Sequence, residues 1–353
     1  MGQQLPPNVV PFFTRALKAF QLSKSNFKVL CTLPPSLDES AASSESEPAA
    51  RPPQHGPPRT LLVLDSSFNP PTLAHQAMAL SALQQQQQQR EGFREGRGEE
   101  EQEEQLATSK SRVLLLLAIN NADKAPKPAA FPQRLAMMYV FAMDLLSALR
   151  EVGKDEDDLH NATTMTPSSA GSRGVEIDLA VTTEPYFHSK SGAIAADPFF
   201  SSSSSTSSSP SPPGQTAAME QVYLTGFDTL IRIFDGKYYP DNSMRRVLDP
   251  FLARARLRVT MRPDADWGGA AEQRAYLDDL KSGRLEAAGG RREWADRVDL
   301  VEGGGDSRQN AAPVISSTKV RDAVQSENWD GLGQLVSSGV ADWIRREGLY
   351  CER

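Results

Sequence analysis

Short apolar segments alternate with helical patterns along the chain, and this alternation constrains the fold more than any other feature. One helical pattern starts at about Leu73, after the first apolar segment, and another covers Phe131–Arg150, after the second. Such alternation is typical of a parallel sheet with helices on both faces, whose ligands bind at the carboxyl ends of the strands. The sequence therefore predicts an α/β fold with a small helical tail at Ala341–Glu347. The predicted strands are Leu61–Leu64, Val113–Leu117, Val175–Val181, Val222–Thr225, Leu257–Met261 and Val298–Val301.

Polar low-complexity stretches separate these segments, among them a glutamine run at Gln84–Gln89 and a serine-rich run at Ser201–Ser209. They bury too little apolar surface to offset the entropy of ordering them, and long surface loops close at modest cost. We therefore predict an N-terminal segment at 1–58, with a helix and a proline- and serine-rich stretch, followed by one domain at 59–350. Surface insertions or disorder are predicted near 84–111, 151–173, 199–219 and 302–312.

The N-terminal segment admits two interpretations. Residues 8–30 are basic and contain no acidic residue, which resembles a weak transit peptide. We favour instead an amphipathic helix followed by a short strand at Phe27–Leu30. We accordingly expect the protein in the cytoplasm and/or the nucleus, with mitochondria as the less favoured alternative. The core-facing residues of the helix would be Phe12, Phe13, Leu17 and Phe20.

The composition argues against several classes of protein. Lys and Arg number 38 against 45 Asp and Glu, so the net charge of −7 lacks the basic excess of a nucleic-acid-binding protein. No apolar run approaches the roughly 20 residues that cross a bilayer, so we predict no membrane partner. Cys31 and Cys351 are too few for a disulfide framework or a cysteine-based zinc site, and no other cluster of metal ligands stands out. The oligomeric state stays open.

The first chemically informative motif is Ser66–His75, directly after the first predicted strand. Pro70 and Pro71 exclude helix through the turn, so a helix begins near Thr72, where unpaired first-turn N–H groups attract anions. Thr72 and His75 are three residues apart and share one face of that turn. A hydroxyl and an imidazole beside a bound phosphate suit phosphoryl transfer. An ordinary helix cap at Thr72 and a packed His75 are the structural alternatives.

The second motif is Ile315–Arg321, after the last predicted strand. Ser316, Ser317 and Thr318 are strong N-cap residues, and as a run they offer hydroxyl and N–H donors together. Arg321 lies one turn later on the same face and adds a forked cation. The pattern predicts a phosphate-binding helix N-terminus, and a generously capped helix is the alternative.

Two weaker motifs also follow predicted strands. The glycine that opens Gly226–Leu230 permits close approach of the backbone, and Asp228 can accept hydrogen bonds from ribose hydroxyls. In Asn120–Lys124, the basic residue Lys124 could bind a phosphate together with Arg134 of the next helix. A capped helix in the first case, and a solvated loop with a surface arginine in the second, explain these segments equally well.

These motifs resemble those of the adenylyltransferase and cytidylyltransferase superfamily. Ser66–His75 is similar to its T/HxGH signature within G-S-F-N-P-x-H/T-x-G-H, although Ser66 and Ala74 replace glycines. Ile315–Arg321 matches the I-S-S-T-x-x-R pattern that holds the β- and γ-phosphates of ATP, and the lack of R-T-x-G before it favours ATP over CTP. Gly226–Leu230 resembles the G-x-D-x-L segment of nicotinamide mononucleotide adenylyltransferases, here without their Trp-Lys pair downstream. The chain is thus similar to a divergent, fungal-type branch of that family.

The resemblance implies a Rossmann-like nucleotidyltransferase domain that joins ATP and nicotinamide mononucleotide into NAD and pyrophosphate, with Mg²⁺ accompanying ATP. His75 and Thr72 would be catalytic, while an aromatic ring of Glu184–Phe187 would stack on nicotinamide or pack in the core. The alternatives are an adenylyltransferase for another phosphorylated acceptor, such as pantetheine phosphate, and a non-catalytic nucleotide-binding interaction protein. The implied acceptor-binding residues are Asn69, Lys124 and Arg134. The implied ATP-binding residues are Ser67, Phe68, Thr72, His75, Gly226, Asp228, Ser316, Ser317, Thr318 and Arg321.

Overall fold

The computed structural model contains a 7-stranded sheet. The described residues are 8–34, 47–53, 57–94, 112–120, 128–160, 174–201, 219–262, 267–303 and 315–351. The strands are β1 (Phe27–Leu33), β2 (Thr60–Asp65), β3 (Arg112–Ala118), β4 (Glu176–Thr182), β5 (Glu220–Gly226), β6 (Ala255–Thr260) and β7 (Val298–Val301). Their order across the sheet is β1-β4-β3-β2-β5-β6-β7, with β1 antiparallel to β4 and the other pairs parallel.

The parallel part of the sheet has Rossmann topology. Counted from β2 onward, its six strands follow the order 3-2-1-4-5-6 of the doubly wound dinucleotide-binding fold. The predicted α/β fold with a parallel sheet is therefore confirmed, and each predicted strand is present with small changes at its ends. Beside β4, the short strand β1 adds an antiparallel edge, which is common on parallel sheets.

Helices cover both faces of the sheet, as predicted. One face carries α1, α2, α3 and the C-terminal helices α9–α11, and the other carries α4–α8. The helices are α1 (Val9–Leu22), α2 (Leu73–Arg94), α3 (Phe131–His160), α4 (Phe187–Ala196), α5 (Pro198–Ser201), α6 (Phe227–Ile233), α7 (Met244–Arg254), α8 (Ala270–Lys281), α9 (Ser317–Gln325), α10 (Trp329–Gly333) and α11 (Ser338–Glu347). No helix in the described ranges is long and apolar enough to cross a membrane.

The sequence of β2 is apolar throughout because both faces of this strand are buried. Leu62 and Leu64 pack into the core on one face, while Leu61 and Val63 pack into the core on the other. Successive side chains of a strand point to opposite faces, so a strand covered on both faces must be apolar at every position. The apolar run Leu61–Leu64 is therefore a central strand of the sheet.

Helix α1 is an integral part of this core. Phe13, Leu17 and Phe20 are buried at helical spacing, and the Phe13 ring lies 6.3 Å from the Tyr139 ring of α3, edge to face. Phe12 packs partly buried against the same cluster. The predicted amphipathic helix and the strand that follows it are confirmed, and the boundary at residue 58 stays a prediction.

Two helices run into segments for which we predicted insertions or disorder. Helix α2 continues through Gln84–Gln89 to Arg94, and α3 continues to His160, beyond the predicted end at Arg150. Glutamine is a good helix former, and a helix that starts on the core can continue past it without further burial. The predicted insertions at 95–111, 161–173, 202–218 and 304–312 lie outside the described residues.

Replacing Phe13 tests whether α1 belongs to the folded core. Phe13 is fully buried, so Phe13→Ala should lower the free energy of unfolding by about 3–5 kcal/mol. Leu22→Ala is the matched control, because Leu22 lies on the same helix and is exposed. Urea unfolding of both variants measures the difference. Equal, small losses in the two variants would show that α1 does not contribute to the core.

Candidate active site

The predicted motifs meet where the strand order reverses. From β2 the chain builds the sheet first toward β3 and β4, and then returns to pair β5 on the opposite side of β2. Ligands of doubly wound folds bind at the carboxyl ends of the strands at such a reversal. The Ser66–His75 motif follows β2 at this point, and Gly226 ends β5 beside it.

The β2–α2 loop, Ser66–Thr72, has a backbone set by its sequence. Pro70 and Pro71 are buried and lack N–H groups, so the loop cannot continue as helix or strand. Phe68 has a φ of 43°, which non-glycine residues adopt rarely, and its ring is fully buried 5.6 Å from the His75 ring. A Phe68 contact with ATP would therefore come from its backbone, whereas Ser67 is exposed at the surface.

His75 is oriented by the first turn of α2. Thr72 precedes the helix and His75 is its third residue, so the two occupy the positions of a capping box. The Thr72 N–H donates to His75 Nδ1 at 3.0 Å, and the Thr72 hydroxyl lies 2.8 Å from the same atom. Since Nδ1 accepts, a neutral ring carries its proton on Nε2, which lies 2.9 Å from the Ser66 hydroxyl. The imidazole can therefore donate from Nε2 into the site.

The His75 ring is neutral at physiological pH. Burial of the ring, and then the positive charge of Arg262, lower the pKa of His75 to about 4. The side chain keeps partial exposure, so it stays within reach of a ligand. A neutral imidazole remains a hydrogen-bond donor, although it adds no positive charge of its own.

The second motif docks directly on the first. Ser316 caps α9 by accepting from the Lys319 N–H at 3.3 Å, while the Ser317 hydroxyl donates to the Pro70 carbonyl at 2.8 Å. Arg321 donates to the Asn69 carbonyl at 2.8 Å and to the Thr318 hydroxyl at 2.9 Å. The structure therefore brings together Ser316–Arg321 and the loop before His75. This adjacency creates a surface of hydroxyl, N–H and guanidinium donors suited to phosphate oxygens.

Arg262 is a site residue that the sequence analysis missed. It follows β6, donates to the Ile315 carbonyl at 3.0 Å and lies close enough to His75 to lower the pKa of the ring. Gln273 of α8 holds the Arg262 backbone through hydrogen bonds to its N–H and carbonyl. A search for cations after every predicted strand would have found it, because Arg262 comes directly after Leu257–Met261.

The Gly226–Leu230 motif forms the start of α6. A side chain at Gly226 would place its Cβ 2.7 Å from an Asp228 carboxylate oxygen, so the Asp228 carboxylate would have to move to accommodate it. Asp228 lies in the first helical turn and pairs weakly with Arg232 at 3.6 Å. The downstream aromatics Phe234 and Tyr239 are buried in the core, so neither ring is presented to a ligand. Tyr238 is partly exposed, and Lys237 pairs with Asp235.

The predicted acceptor-binding residues are only partly described. Asn69 is buried in the β2–α2 loop, and Lys124 lies outside the described residues. Arg134 is only 5% exposed, so it is not the surface arginine that its sequence context also allowed. Its Nε donates to the Ala129 carbonyl at 2.8 Å, while one terminal nitrogen has no hydrogen-bond partner among the described residues. A buried guanidinium with an unused donor suits an anion.

Helix α4 contributes an aromatic surface and a buried ion pair beyond β4. Tyr186 is 44% exposed and its ring stacks on His188 at 5.5 Å, whereas Phe187 packs against the core. Lys190 is buried and pairs with Asp65 at the end of β2. Tyr186, rather than Phe187, is thus the ring of the Glu184–Phe187 segment that a ligand can reach.

One curated relative shares most of its length with this chain, although no protein-family model matches. A Schizosaccharomyces pombe protein named "Putative nicotinamide mononucleotide adenylyltransferase" is 28% identical over 287 residues, which is 81% of this chain and 84% of that protein. The predicted resemblance to nicotinamide mononucleotide adenylyltransferases is confirmed.

Two solved structures of one enzyme are also similar. Plasmodium falciparum nicotinic acid mononucleotide adenylyltransferase complexed with NaAD is 12% identical, with a TM-score of 0.39, over 83% of this chain and 97% of that chain. The same enzyme complexed with APC is 11% identical, with a TM-score of 0.34 and the same coverage.

The donors of this candidate site are hydroxyl, amide, imidazole and guanidinium groups. Within the described ranges, no group of three or more His, Cys, Asp or Glu side chains could hold a metal ion. Such donors complement phosphate oxygens rather than a cation. The residues therefore fit a metal only where bound phosphates supply its ligands.

The low pKa of His75 makes a prediction about stability. The His75 ring takes up a proton near pH 6.5 in the unfolded chain and only near pH 4 in the folded protein. The contribution of the neutral ring to the free energy of unfolding is therefore fully present above pH 6.5 and is lost as the pH falls toward 4. At about pH 5.5 the wild type should have lost roughly 1 kcal/mol through this group. His75→Asn, whose amide oxygen can replace Nδ1, should not. Urea unfolding of both proteins at neutral and acidic pH measures this difference, and equal losses would contradict it.

Proposed function

We propose that the protein transfers the adenylyl group of ATP to the phosphate of nicotinamide mononucleotide, giving NAD and pyrophosphate. The observation that carries the proposal is the docking of the Ser316–Arg321 helix start on the loop before His75, at the strand reversal. In this arrangement a donor for the reacting phosphate would lie beside a cap for the leaving phosphates, which supports the proposal. The name of the fission yeast relative supports the same choice of substrates.

The proposed reaction is an in-line displacement at the α-phosphorus. An oxygen of the acceptor phosphate forms the new P–O bond, the bond between the α-phosphorus and the bridging oxygen breaks, and pyrophosphate leaves with the electron pair. Negative charge on the α-phosphate oxygens is then stabilised by the His75 Nε2–H. For this, a phosphate oxygen replaces the Ser66 hydroxyl as the partner of Nε2, while Thr72 holds Nδ1.

The leaving phosphates would occupy the start of α9. Ser316 and Thr318 offer hydroxyls there and Ser317 offers its first-turn N–H, while Arg321 and Arg262 add positive charge. Gly226 and Asp228 would face the adenosine from the end of β5, with Asp228 accepting from ribose hydroxyls. Mg²⁺ would enter with ATP and be held by phosphate oxygens and water, neutralising part of the triphosphate charge.

The acceptor would bind on the β3 and β4 side of the loop. Arg134, with its unused donor, and Lys124 would bind the phosphate of the mononucleotide beside Asn69. Tyr186 would offer its exposed ring to the pyridine base. Nicotinate mononucleotide differs from nicotinamide mononucleotide only in having a carboxylate in place of the amide. It is therefore the competing acceptor within this proposal.

A second candidate is a nucleotide-binding protein without turnover. One observation favours it. Ser66 stands where the family has glycine, and its hydroxyl is the hydrogen-bond partner of His75 Nε2, where a phosphate oxygen would bind.

One experiment tests both functions. The purified protein is incubated with ATP, Mg²⁺ and one of three acceptors, which are nicotinamide mononucleotide, nicotinate mononucleotide and pantetheine phosphate. Release of pyrophosphate with nicotinamide mononucleotide supports the proposal. ATP binding by calorimetry without release from any acceptor supports the second candidate.

His75→Ala tests the role of the imidazole in the transition state. We expect kcat to fall by about 10²–10³, the effect of removing one donor to developing charge, while the Kd for ATP changes far less. Gln76→Ala, at the neighbouring position of α2, is the control and should retain wild-type rates. Steady-state kinetics and calorimetry measure both quantities. An unchanged kcat in folded His75→Ala protein would exclude the proposed role.

Arg321→Ala tests the assignment of the leaving phosphates to α9. Loss of a charge-assisted contact should raise the KM for ATP about 10- to 100-fold and slow the reverse reaction from pyrophosphate. Lys319→Ala is the control, because Lys319 is exposed on the same helix. Lys124→Ala should instead raise the KM for the mononucleotide and spare that for ATP. The same pattern of Michaelis constants in Arg321→Ala and Lys124→Ala would overturn the division into two halves.

A further inference from the structure

Tyr350 reaches the centre of the candidate site from the C-terminal end of the chain. Its hydroxyl donates to the Asn69 side-chain oxygen at 2.8 Å, and the two residues are 8% and 5% exposed. Burial raises the pKa of the Tyr350 hydroxyl well above its usual range, so it keeps its proton and stays a donor. None of the roles proposed above uses this residue.

The backbone after α11 is shaped to deliver this ring. Gly348 ends the helix with a φ of 59°, and Tyr350 itself has a φ of 68°, a region that residues with a side chain seldom adopt. The turn returns the chain to α3, where the hydroxyl also lies 3.8 Å from the Met137 sulfur. A conformation that is unfavourable for an isolated tyrosine is therefore held by the contacts of the ring.

The C-terminal third of the chain binds the backbone of the β2–α2 loop and of the helix start that follows it at three positions. Arg321 binds the Asn69 carbonyl, and Ser317 binds the Pro70 carbonyl. The Leu335 carbonyl accepts from the first N–H of α2, that of Leu73, at 2.9 Å. These contacts fix the backbone of the loop, whereas the contact from Tyr350 is made to a side chain.

We propose that Tyr350 is a positioning residue that sets the orientation of the Asn69 amide toward the acceptor. Because the Asn69 oxygen accepts from Tyr350, the NH2 group at the other end of the same planar amide is turned away from the tyrosine. Tyr350 and Arg321 both hydrogen-bond to Asn69, and both affect the pKa of Arg134, so Arg134 lies close to the same residue. This inference rests on the proposed function, in which Asn69 and Arg134 bind the acceptor.

Tyr350→Phe removes only the hydroxyl and leaves the ring in place. We expect the KM for nicotinamide mononucleotide to rise about fivefold, the effect of one neutral hydrogen bond, with the KM for ATP within about twofold of the wild type. Tyr223→Phe is the matched control, because it removes another buried hydroxyl, bonded to Gln221 at 3.1 Å within β5. It should lower the melting temperature without changing either Michaelis constant. A uniform change of both constants in Tyr350→Phe would overturn the inference.

A double-mutant cycle with Asn69→Ala shows whether Tyr350 acts through Asn69. If it does, adding Tyr350→Phe to Asn69→Ala should leave the KM for the mononucleotide unchanged, because no amide remains to be oriented. A further rise of about fivefold in the double mutant, equal to that in the single mutant, would show an independent, structural effect and overturn the inference.

NMR spectra of the ligand-free protein separate this inference from the proposed function. The Asn69 side-chain NH2 resonances should shift in Tyr350→Phe, because the hydrogen bond to the amide oxygen is lost, and should keep their wild-type positions in Tyr223→Phe. If the wild type turns over no acceptor, the proposed function fails, and these resonances alone then decide whether Tyr350 orients the amide. Unchanged Asn69 NH2 resonances in Tyr350→Phe would refute the positioning role whatever the activity.

Discussion

The site depends on hydrogen bonds that the start of α9 makes to the β2–α2 loop. Asn69 and Pro70 are buried, and their carbonyls accept hydrogen bonds from Arg321 and Ser317. The prolines prevent the loop from satisfying these groups by forming regular structure. Two segments that lie about 250 residues apart in sequence are therefore joined by hydrogen bonds, which span 247 and 252 positions. The loop that carries His75 and the helix start that offers phosphate donors are consequently one structural unit.

Most of the sheet could be predicted from the sequence because its central strands are covered on both faces. That burial makes runs such as Leu61–Leu64 apolar at every position, a signal that needs no knowledge of the tertiary structure. The continuation of α2 through Gln84–Gln89 was not predicted, because its glutamines are mostly exposed and leave no hydrophobic periodicity. There, helix propensity and a helix already started on the core decide the structure.

The site was predictable where its residues stand together in sequence. Thr72 and His75 share one helical turn, and Ser316–Thr318 cap another, so their spacing alone places them side by side. The contact of Ser66 with Nε2 could not be anticipated, because it depends on the path of the loop between them. Tyr350 carries no local signal at all. Its role follows from the turn after α11, which brings it to Asn69 across 281 positions of sequence.

The charges around His75 imply that its pKa depends on what is bound. In the ligand-free site, burial and Arg262 keep the ring neutral, and Nε2 donates to an uncharged serine. A triphosphate would replace that serine with anionic oxygens and would neutralise much of the charge of Arg262 and Arg321, so ATP binding should raise the pKa of His75. The Thr72 N–H opposes protonation of the ring, because it donates to Nδ1, the atom that would take up the proton. The ring can therefore donate from Nε2 to the α-phosphate without becoming a cation, and the empty site avoids an uncompensated buried charge.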